Sequence, residues 1–269
     1  MTNDRKEINM PFLDFLTNGI IVYFPNQIIM LVLAYIVTAL AAYCLGSLNF
    51  AVIISRIKYH DDIRNYGSGN AGMTNMPRTY GKVDAVLTFL GDALKTALSI
   101  LIGMALVGAA GGGNYIAGCF AILGHVFPCY YRFKGGKGVV ASAITILMLD
   151  WQIFLILIAV FAIVVLIWRY ISLGSVTCAM LYPLLVYVKT QAALENSIED
   201  GNFVYSPVPV IFAFAIGLFI VLLHRKNIER LMKGKESKIG SKAKKQERFT
   251  VTKNKKQEKY TVTKNKKQK

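Results

Sequence analysis

The sequence predicts an all-α, polytopic integral membrane protein of about seven transmembrane helices, with the N-terminus outside and the C-terminus cytoplasmic. Three observations predict it. Of the 269 residues 54% are hydrophobic, and the mean hydropathy is +0.45. The apolar residues lie in long continuous runs, not in every-second-residue alternation, which favours helices over a β-barrel. The formal charge of +16 is gathered at one end: residues 224–269 hold 18 Lys/Arg against 4 Asp/Glu, a net of +14. The remainder of the chain therefore carries only about +2, and the charge describes an appendage next to anionic lipid, not the whole fold.

Three regions follow: an N-terminal extension (1–25), a membrane domain (26–240) and a basic, low-complexity, repeated tail (241–269). The extension holds Arg5 and Lys6 and a mixed apolar stretch, but no small-residue cleavage pattern. It can lie flat at the interface or lack structure. The first span covers 27–55, almost uninterrupted until Asn49, and a polar segment fills 56–82. The second span, 83–107, contains Asp92 and Lys95. A glycine-rich turn at 108–114 leads to a third span ending near Tyr131. After the loop 132–138, residues 139–149 are apolar but short, and cross only with tilt or local thinning. Asp150 ends that run. Residues 151–168 and 173–188 make the fifth and sixth spans, a polar acidic loop fills 189–206, and 207–223 is the seventh.

Lysine and arginine placement sets the orientation. Five lie in 56–82, three in 132–137, one at Arg169 and eighteen from 224 onward, while the turns near Gly111 and Asp150 have none. The glycine-rich loops and the C-terminus are thus expected inside. Five spans would give the same sidedness if 139–149 and one partner were re-entrant. In the tail, Phe249–Gln257 recurs as Tyr260–Gln268, an eleven-residue period. Such a segment is expected to lack fixed structure and to favour an anionic inner leaflet over nucleic acid. Cys44, Cys119, Cys129 and Cys178 form no C-x-x-C pair, so buried reduced thiols are expected and no metal site.

The most informative segment is Gly67-Ser68-Gly69-Asn70-Ala71-Gly72-Met73-Thr74-Asn75, followed by Arg78. Its glycines can turn backbone N–H groups toward one anion, and an arginine adds bidentate pairing. A second run, Phe133-Lys134-Gly135-Gly136-Lys137-Gly138, lies on the same predicted face. Together they suggest chemistry on a phosphorylated substrate at the membrane surface. Asp92 and Lys95 stand three apart on one helical face, either neutralising each other or facing a site. Ser47 and Asn49 serve helix packing or line the site. His125 is a structural hydrogen-bonder or a catalyst. Ser172 and Ser175 flank Gly174 as N-caps or as contacts to a phosphate or hydroxyl. His224 and Asn227 share a face if the last helix continues. Positive-inside anchoring explains the neighbouring cations but not Asn227.

Taken in order, these segments resemble the bacterial acyl-phosphate:glycerol-3-phosphate acyltransferase family over residues 28–240. The resemblance runs through Gly46–Asn49, Asp62–Asn70, Thr74–Gly81, Gly91–Lys95, Gly124–Pro128, Phe133–Gly138, Ser172–Ser175 and His224–Asn227. It implies a seven-spanning plasma-membrane enzyme with a cytoplasmic active site. Such an enzyme transfers a fatty acyl group from acyl-phosphate to glycerol 3-phosphate, makes lysophosphatidic acid and uses no cofactor or metal. Its partners are those two substrates, the lipid bilayer and an enzyme that supplies acyl-phosphate, without nucleic acid. The catalytic residues are expected to be Ser68, Arg78, His125, Lys137, His224 and Asn227. Gly67, Gly69, Asn70, Thr74, Asn75, Lys95, Lys134, Gly135, Gly136, Gly138, Ser172 and Ser175 are the expected substrate-binding residues. Ser68, Arg78, Ser175, His224 and Asn227 are assigned to the glycerol phosphate, and the Lys134–Gly138 loop to the acyl-phosphate. The general base is His125, His224 or the substrate's own phosphate. Ala71 and Thr96 depart from the family pattern, and neither bears on chemistry beyond local packing. An acyl-CoA-dependent His-x-x-x-x-Asp enzyme is excluded, because Asn65, Tyr130 and Glu229 stand five places after the three histidines. An anion transporter is the competing class, although internal repeats and mid-membrane broken helices would mark it better.

Overall fold

The computed structural model of the chain describes residues 12–20, 28–200 and 206–239, with the backbone of 251–252 and 261–262. Each of the seven apolar runs carries a helix. The first is shared by α2 (Ile28–Gly46) and α3 (Phe50–Tyr59), preceded by the short α1 (Phe12–Asn18). A one-turn α4 (Met76–Thr79) stands before α5 (Lys82–Leu106). Then come α6 (Gly113–Val126), α7 (Val139–Leu149), α8 (Trp151–Trp168), α9 (Ile171–Glu199), α10 (Val208–Leu223) and α11 (Arg225–Met232).

Four of these segments are long and apolar enough to cross a membrane: 28–59, 82–106, 151–168 and 171–199. The pair α10–α11, bent by 57°, makes a fifth if taken as one broken span. With 14 and 11 residues, α6 and α7 are shorter. They pack inside the bundle, α6 against α2 and α5 and α7 against α5, α6 and α8. On α8 only Ile153, Leu157 and Val164 are buried, so most of its apolar surface faces outward, as lipid contact requires.

Small residues let the helices approach. A Cβ on Gly46 of α2 would strike the backbone of Ala121 on α6, and one on Gly124 of α6 would strike the Tyr43 carbonyl on α2. This reciprocal contact is the small-residue seam expected where lipid supplies no hydrophobic drive between helices. Thr38, Ala42, Ala51 and Val52 are buried along α2 and α3.

Three local features differ from the sequence expectation. The first span breaks at Ser47–Asn49, where Asn49 Oδ1 accepts Val52 N at 3.1 Å and so starts α3 as its N-cap. The supposed loop at 189–206 is helix as far as Glu199, because Gln191-Ala-Ala-Leu-Glu195 are strong helix formers. Lys189 Nζ ties that extension to Asp150 Oδ2 at 2.6 Å and Gln152 Oε1 at 2.8 Å. Asp150 in turn caps α8 by accepting Gln152 N and Ile153 N. Within the N-terminal extension, the Leu16 and Thr17 carbonyls of α1 accept hydrogen bonds from Ala109 N and Ala110 N at 3.1 and 2.9 Å. It is therefore tied to the α5–α6 turn. Residues 1–11 and 21–27 lie outside the described residues.

Residues 240–269 form a unit of their own. Most of the repeated tail lies outside the described residues. Its described part is not structureless as expected: β1 (Val251–Thr252) pairs antiparallel with β2 (Thr261–Val262), Val251 opposite Val262. The same Thr-Val-Thr of each repeat supplies both strands.

Candidate active site

The first polar loop hangs between α3 and α4 and is built around Asn75. Its side chain is almost wholly buried, accepts Ser68 N at 3.0 Å, and donates to the Ile63 and Tyr66 carbonyls at 3.3 and 2.9 Å. Gly67 packs against that same amide. Asn75 is thus the loop's internal staple, with its hydrogen-bonding capacity used within the protein. It leaves Gly67, Ser68 and Gly69 exposed at the loop's outer turn, with Asn70 and Thr74 half-buried beside them. Arg78 on α4 is half-buried and has no ion-pair partner among the described residues.

Arg64 joins this loop to the second one. It pairs with Asp62 through Nε to Oδ1 at 2.8 Å and Nη2 to Oδ2 at 2.7 Å. This fork holds the Asp62 carboxyl down at about 2. The remaining Nη1 donates to the carbonyls of Tyr131 and Lys134 at 2.9 and 2.8 Å, which fastens the 131–134 backbone to the first loop.

In the second loop Arg132 and Phe133 both adopt left-handed backbone angles, φ 57° and 56°. Non-glycine residues there carry strain, and such strain gathers at functional sites. Gly135 and Gly136 donate their N–H groups to the carbonyls of Val126 and His125 at 3.1 and 3.2 Å. Neither N–H is therefore aimed at an anion, in contrast to the cradle suggested by sequence. Gly136 is needed for closeness: a Cβ there would strike His125 Nε2 and lie 2.6 Å from the Ala71 carbonyl. Lys134 is exposed, Lys137 half-buried, and Gly138 opens α7.

Lys137 reaches across to the last helix pair and donates to Asn227 Oδ1. Asn227 Nδ2 donates to Glu236 Oε1 at 2.7 Å, Ser172 Oγ to the same oxygen at 2.8 Å, and Arg230 Nε to Glu236 Oε2 at 2.6 Å. The turn that delivers Glu236 depends on Gly234, whose φ of 64° ends α11 while Lys235 N bonds back to the Arg230 carbonyl at 2.8 Å. The chain then runs back along the start of α9, with Ile239 N donating to the Arg169 carbonyl at 2.8 Å. Burial pushes the Lys137 ammonium down to about 8; the Arg230 and Arg78 guanidiniums push the same way, against the Glu236 carboxylate. The Arg230, Asn227 and Ser172 donors in turn hold the Glu236 carboxyl below its usual range despite burial.

Buried beside this cluster, His224 has Nδ1 2.8 Å from the Ile220 carbonyl. A carbonyl only accepts, so the ring proton sits on Nδ1 and Nε2 is left as an acceptor. Ser175 Oγ donates to the Ile171 carbonyl at 3.0 Å. Lys95 and His125 lie deeper, in contact with each other at 3.1 Å.

Arg78, Lys137, Ser172, His224 and Asn227, far apart in the chain, thus share one electrostatic cluster. Asn75, Gly135, Gly136, Ser175, Lys95 and His125 are instead engaged inside the scaffold. Sequence reasoning missed Arg64, Arg230 and Glu236. Glu236 had one available signal, being one of four acids among eighteen bases after residue 223. Among the described residues no group of three or more His, Cys, Asp or Glu stands together as a metal site would require.

Comparison with known proteins gives a consistent result. The family profile described as glycerol-3-phosphate acyltransferase matches residues 36–234. A glycerol-3-phosphate acyltransferase of Syntrophotalea carbinolica is 40% identical over 207 residues, covering 76% of this chain and 97% of the relative. One of a Jannaschia species is 39% identical over 203 residues, covering 76% and 92%. Among solved structures, PlsY, an integral membrane glycerol 3-phosphate acyltransferase in its glycerol 3-phosphate form, superposes with a TM-score of 0.67. It is 33% identical and covers 77% of this chain and 96% of its own. The lysophosphatidic acid form of PlsY gives a TM-score of 0.63 at 30% identity, covering 77% and 95%.

Proposed function

The chain belongs to the glycerol-3-phosphate acyltransferase family, and on that premise we propose that it transfers a fatty acyl group from acyl-phosphate to glycerol 3-phosphate at the cytoplasmic face of the plasma membrane. The observation that carries this reading is the convergence of Arg78, Lys137, Asn227, Arg230 and Ser172 from four separate polar segments. Such a concentration of donors can hold two phosphate-bearing reactants that would otherwise repel.

Acyl-phosphate is a mixed anhydride with a good leaving group. The hydroxyl oxygen of glycerol 3-phosphate forms the new bond to the acyl carbon, the acyl carbon–oxygen bond to phosphate breaks, and the hydroxyl proton ends on the departing phosphate. The protein's task is to align two anions and to stabilise the carbonyl oxygen as it gains charge. Positioning of this kind lowers barriers by about 7–11 kcal/mol, and each oriented donor to an oxyanion adds about 3–4 kcal/mol. Lys137 and Arg78 neutralise phosphate charge, while the exposed Ser68 turn and the Asn70–Thr74 rim line the approach. In transit the proton has two acceptors, His224 Nε2 and the phosphate of glycerol 3-phosphate itself. The acyl chain enters between apolar helices from the bilayer.

Seven crossings, with the N-terminus outside and the polar loops inside, remain the topology that the charge distribution favours. Acyl-phosphate is water-labile, so an enzyme that makes it is the protein partner this reaction calls for. The purified chain should form lysophosphatidic acid from acyl-phosphate but not from acyl-CoA or acyl-carrier protein. Phosphate transport into liposomes without any acyl transfer would instead establish the transporter reading.

A further inference from the structure

Beneath the second loop lies a cluster of ionisable groups that the reaction above does not use. Asp92, Lys95 and His125 are all buried, with at most 4% of their surface exposed. Lys95 Nζ lies 2.7 Å from Asp92 Oδ1, 2.6 Å from the Leu48 carbonyl and 3.1 Å from His125 Nδ1. Asp92 Oδ1 is also 3.6 Å from His125 Nδ1. An ammonium can only donate, so His125 Nδ1 must be the acceptor, and the ring is neutral with its proton on Nε2. Charge balance agrees: one carboxylate offsets one ammonium, and an added imidazolium would leave a net positive charge buried.

Each contact in this cluster leads to a different part of the site. Leu48 belongs to the break between α2 and α3, and the next residue, Asn49, donates through Nδ2 to the Ala71 carbonyl of the first loop at 3.2 Å. The His125 carbonyl receives Gly136 N, and Gly136 is too close to both the His125 ring and Ala71 O to admit a methyl group. The ring therefore sits as a spacer between Lys95 and the backbone that carries Lys137.

We propose that Asp92, Lys95 and His125 are positioning residues, a buried strut that fixes the height and tilt of the Lys134–Gly138 loop, and that His125 carries no proton in the reaction. The inference rests on the acyl-transfer reading above. It gives these three residues a role that neither mutual neutralisation nor base catalysis describes.

The test uses the full-length purified protein and three variants. In His125→Asn the side-chain amide oxygen takes the place of Nδ1 and still accepts from Lys95. His125→Leu and Lys95→Met remove the link. The latter two should lower kcat about 100-fold, the cost of a misplaced catalytic group. They should also speed amide hydrogen exchange at residues 134–138 about 10-fold or more, with α8 and α9 unchanged. His125→Asn should recover to within about 3-fold of the parent on both measures and keep the parent's pH–rate profile. The proposal is overturned if His125→Asn is as inactive as His125→Leu, for then the imidazole itself is required. It is also overturned if activity falls while exchange in the loop is unchanged. Should the leucine variant fail to fold, His125→Asn and Lys95→Met decide. A parent enzyme that makes no lysophosphatidic acid would refute the acyl-transfer reading instead, a result separable from either outcome.

Discussion

Lys137 is the residue at which the electrostatics of the site become measurable. Its ammonium titrates near 8, because the protein has taken it out of water and set two guanidiniums within reach. Anion binding needs the protonated form, and that form declines as pH rises through about 8. The kcat/KM profile should therefore fall above pH 8, and kcat, which reports the substrate-loaded site, should fall at higher pH because a bound phosphate favours the ammonium. Lys137→Arg should abolish the alkaline fall, since a guanidinium stays charged, while lowering the rate through altered geometry. Glu236 is the counterweight. Replacing it with Ala leaves Arg230, Asn227 and Ser172 without their shared acceptor, and Arg230 is only partly exposed. The loss should be about 2 kcal/mol of stability, read as a lower unfolding temperature in detergent, with activity falling further because Asn227 loses its anchor. At this scale sequence patterns pointed to Arg78 and Lys137, since a loop cation beside glycines is conspicuous, but passed over Arg64, Arg230 and Glu236. They could not tell a ligand from a staple. Asn75 and Ser175 have the same chemical credentials as Asn227 and Ser172, and only the position of their partners separates them.

The elements were legible wherever the signal was apolar length, as in α5, α8 and α10, because the bilayer demands it. They were less legible where polar side chains act at a distance. The α2–α3 break depends on Asn49 capping a helix while holding Ala71, twenty-two residues away, and the extension of α9 past Val188 is tied down where Lys189 finds Asp150 at the α7–α8 junction. The α2–α6 seam is a packing prediction at the same scale. Gly46 and Gly124 meet backbone, which cannot swing aside as a side chain can. Gly124→Ala should cost about 1–3 kcal/mol, and Gly124→Leu should prevent accumulation of monodisperse protein altogether. Both are read by thermal unfolding and size-exclusion profile. Because α6 carries His125 in its last turn and ends at Val126, a displaced α6 also carries away the floor of the second loop, so the alanine variant should lose activity beyond its loss of stability.

At the scale of the whole molecule, the site is closed by the turn at residues 233–239 rather than by the transmembrane helices alone. Residues 233–239 reverse at Gly234, place Glu236 between Asn227, Arg230 and Ser172, and bond through Ile239 to Arg169 at the head of α9. Beyond Ile239 the chain belongs to a separate unit whose repeats carry much of the basic charge. The two segments are adjacent in sequence and both rich in lysine, yet they should behave differently when removed. Ending the chain at Gly240 leaves every hydrogen bond described for the site in place, and specific activity in neutral detergent should stay within about 2-fold of the full-length protein. In vesicles rich in anionic lipid the same truncation should weaken the salt-sensitive part of membrane association, at about 1 kcal/mol per lysine near the surface. Ending the chain at Met232 removes Gly234, Glu236 and Ile239 together. It should lower activity by about 100-fold, the scale of a misplaced binding group, with the membrane helices still assembled. Equal activity in the two truncated proteins would show that Glu236 and its strap are incidental to the site; equal inactivity would show that the repeated tail is part of it.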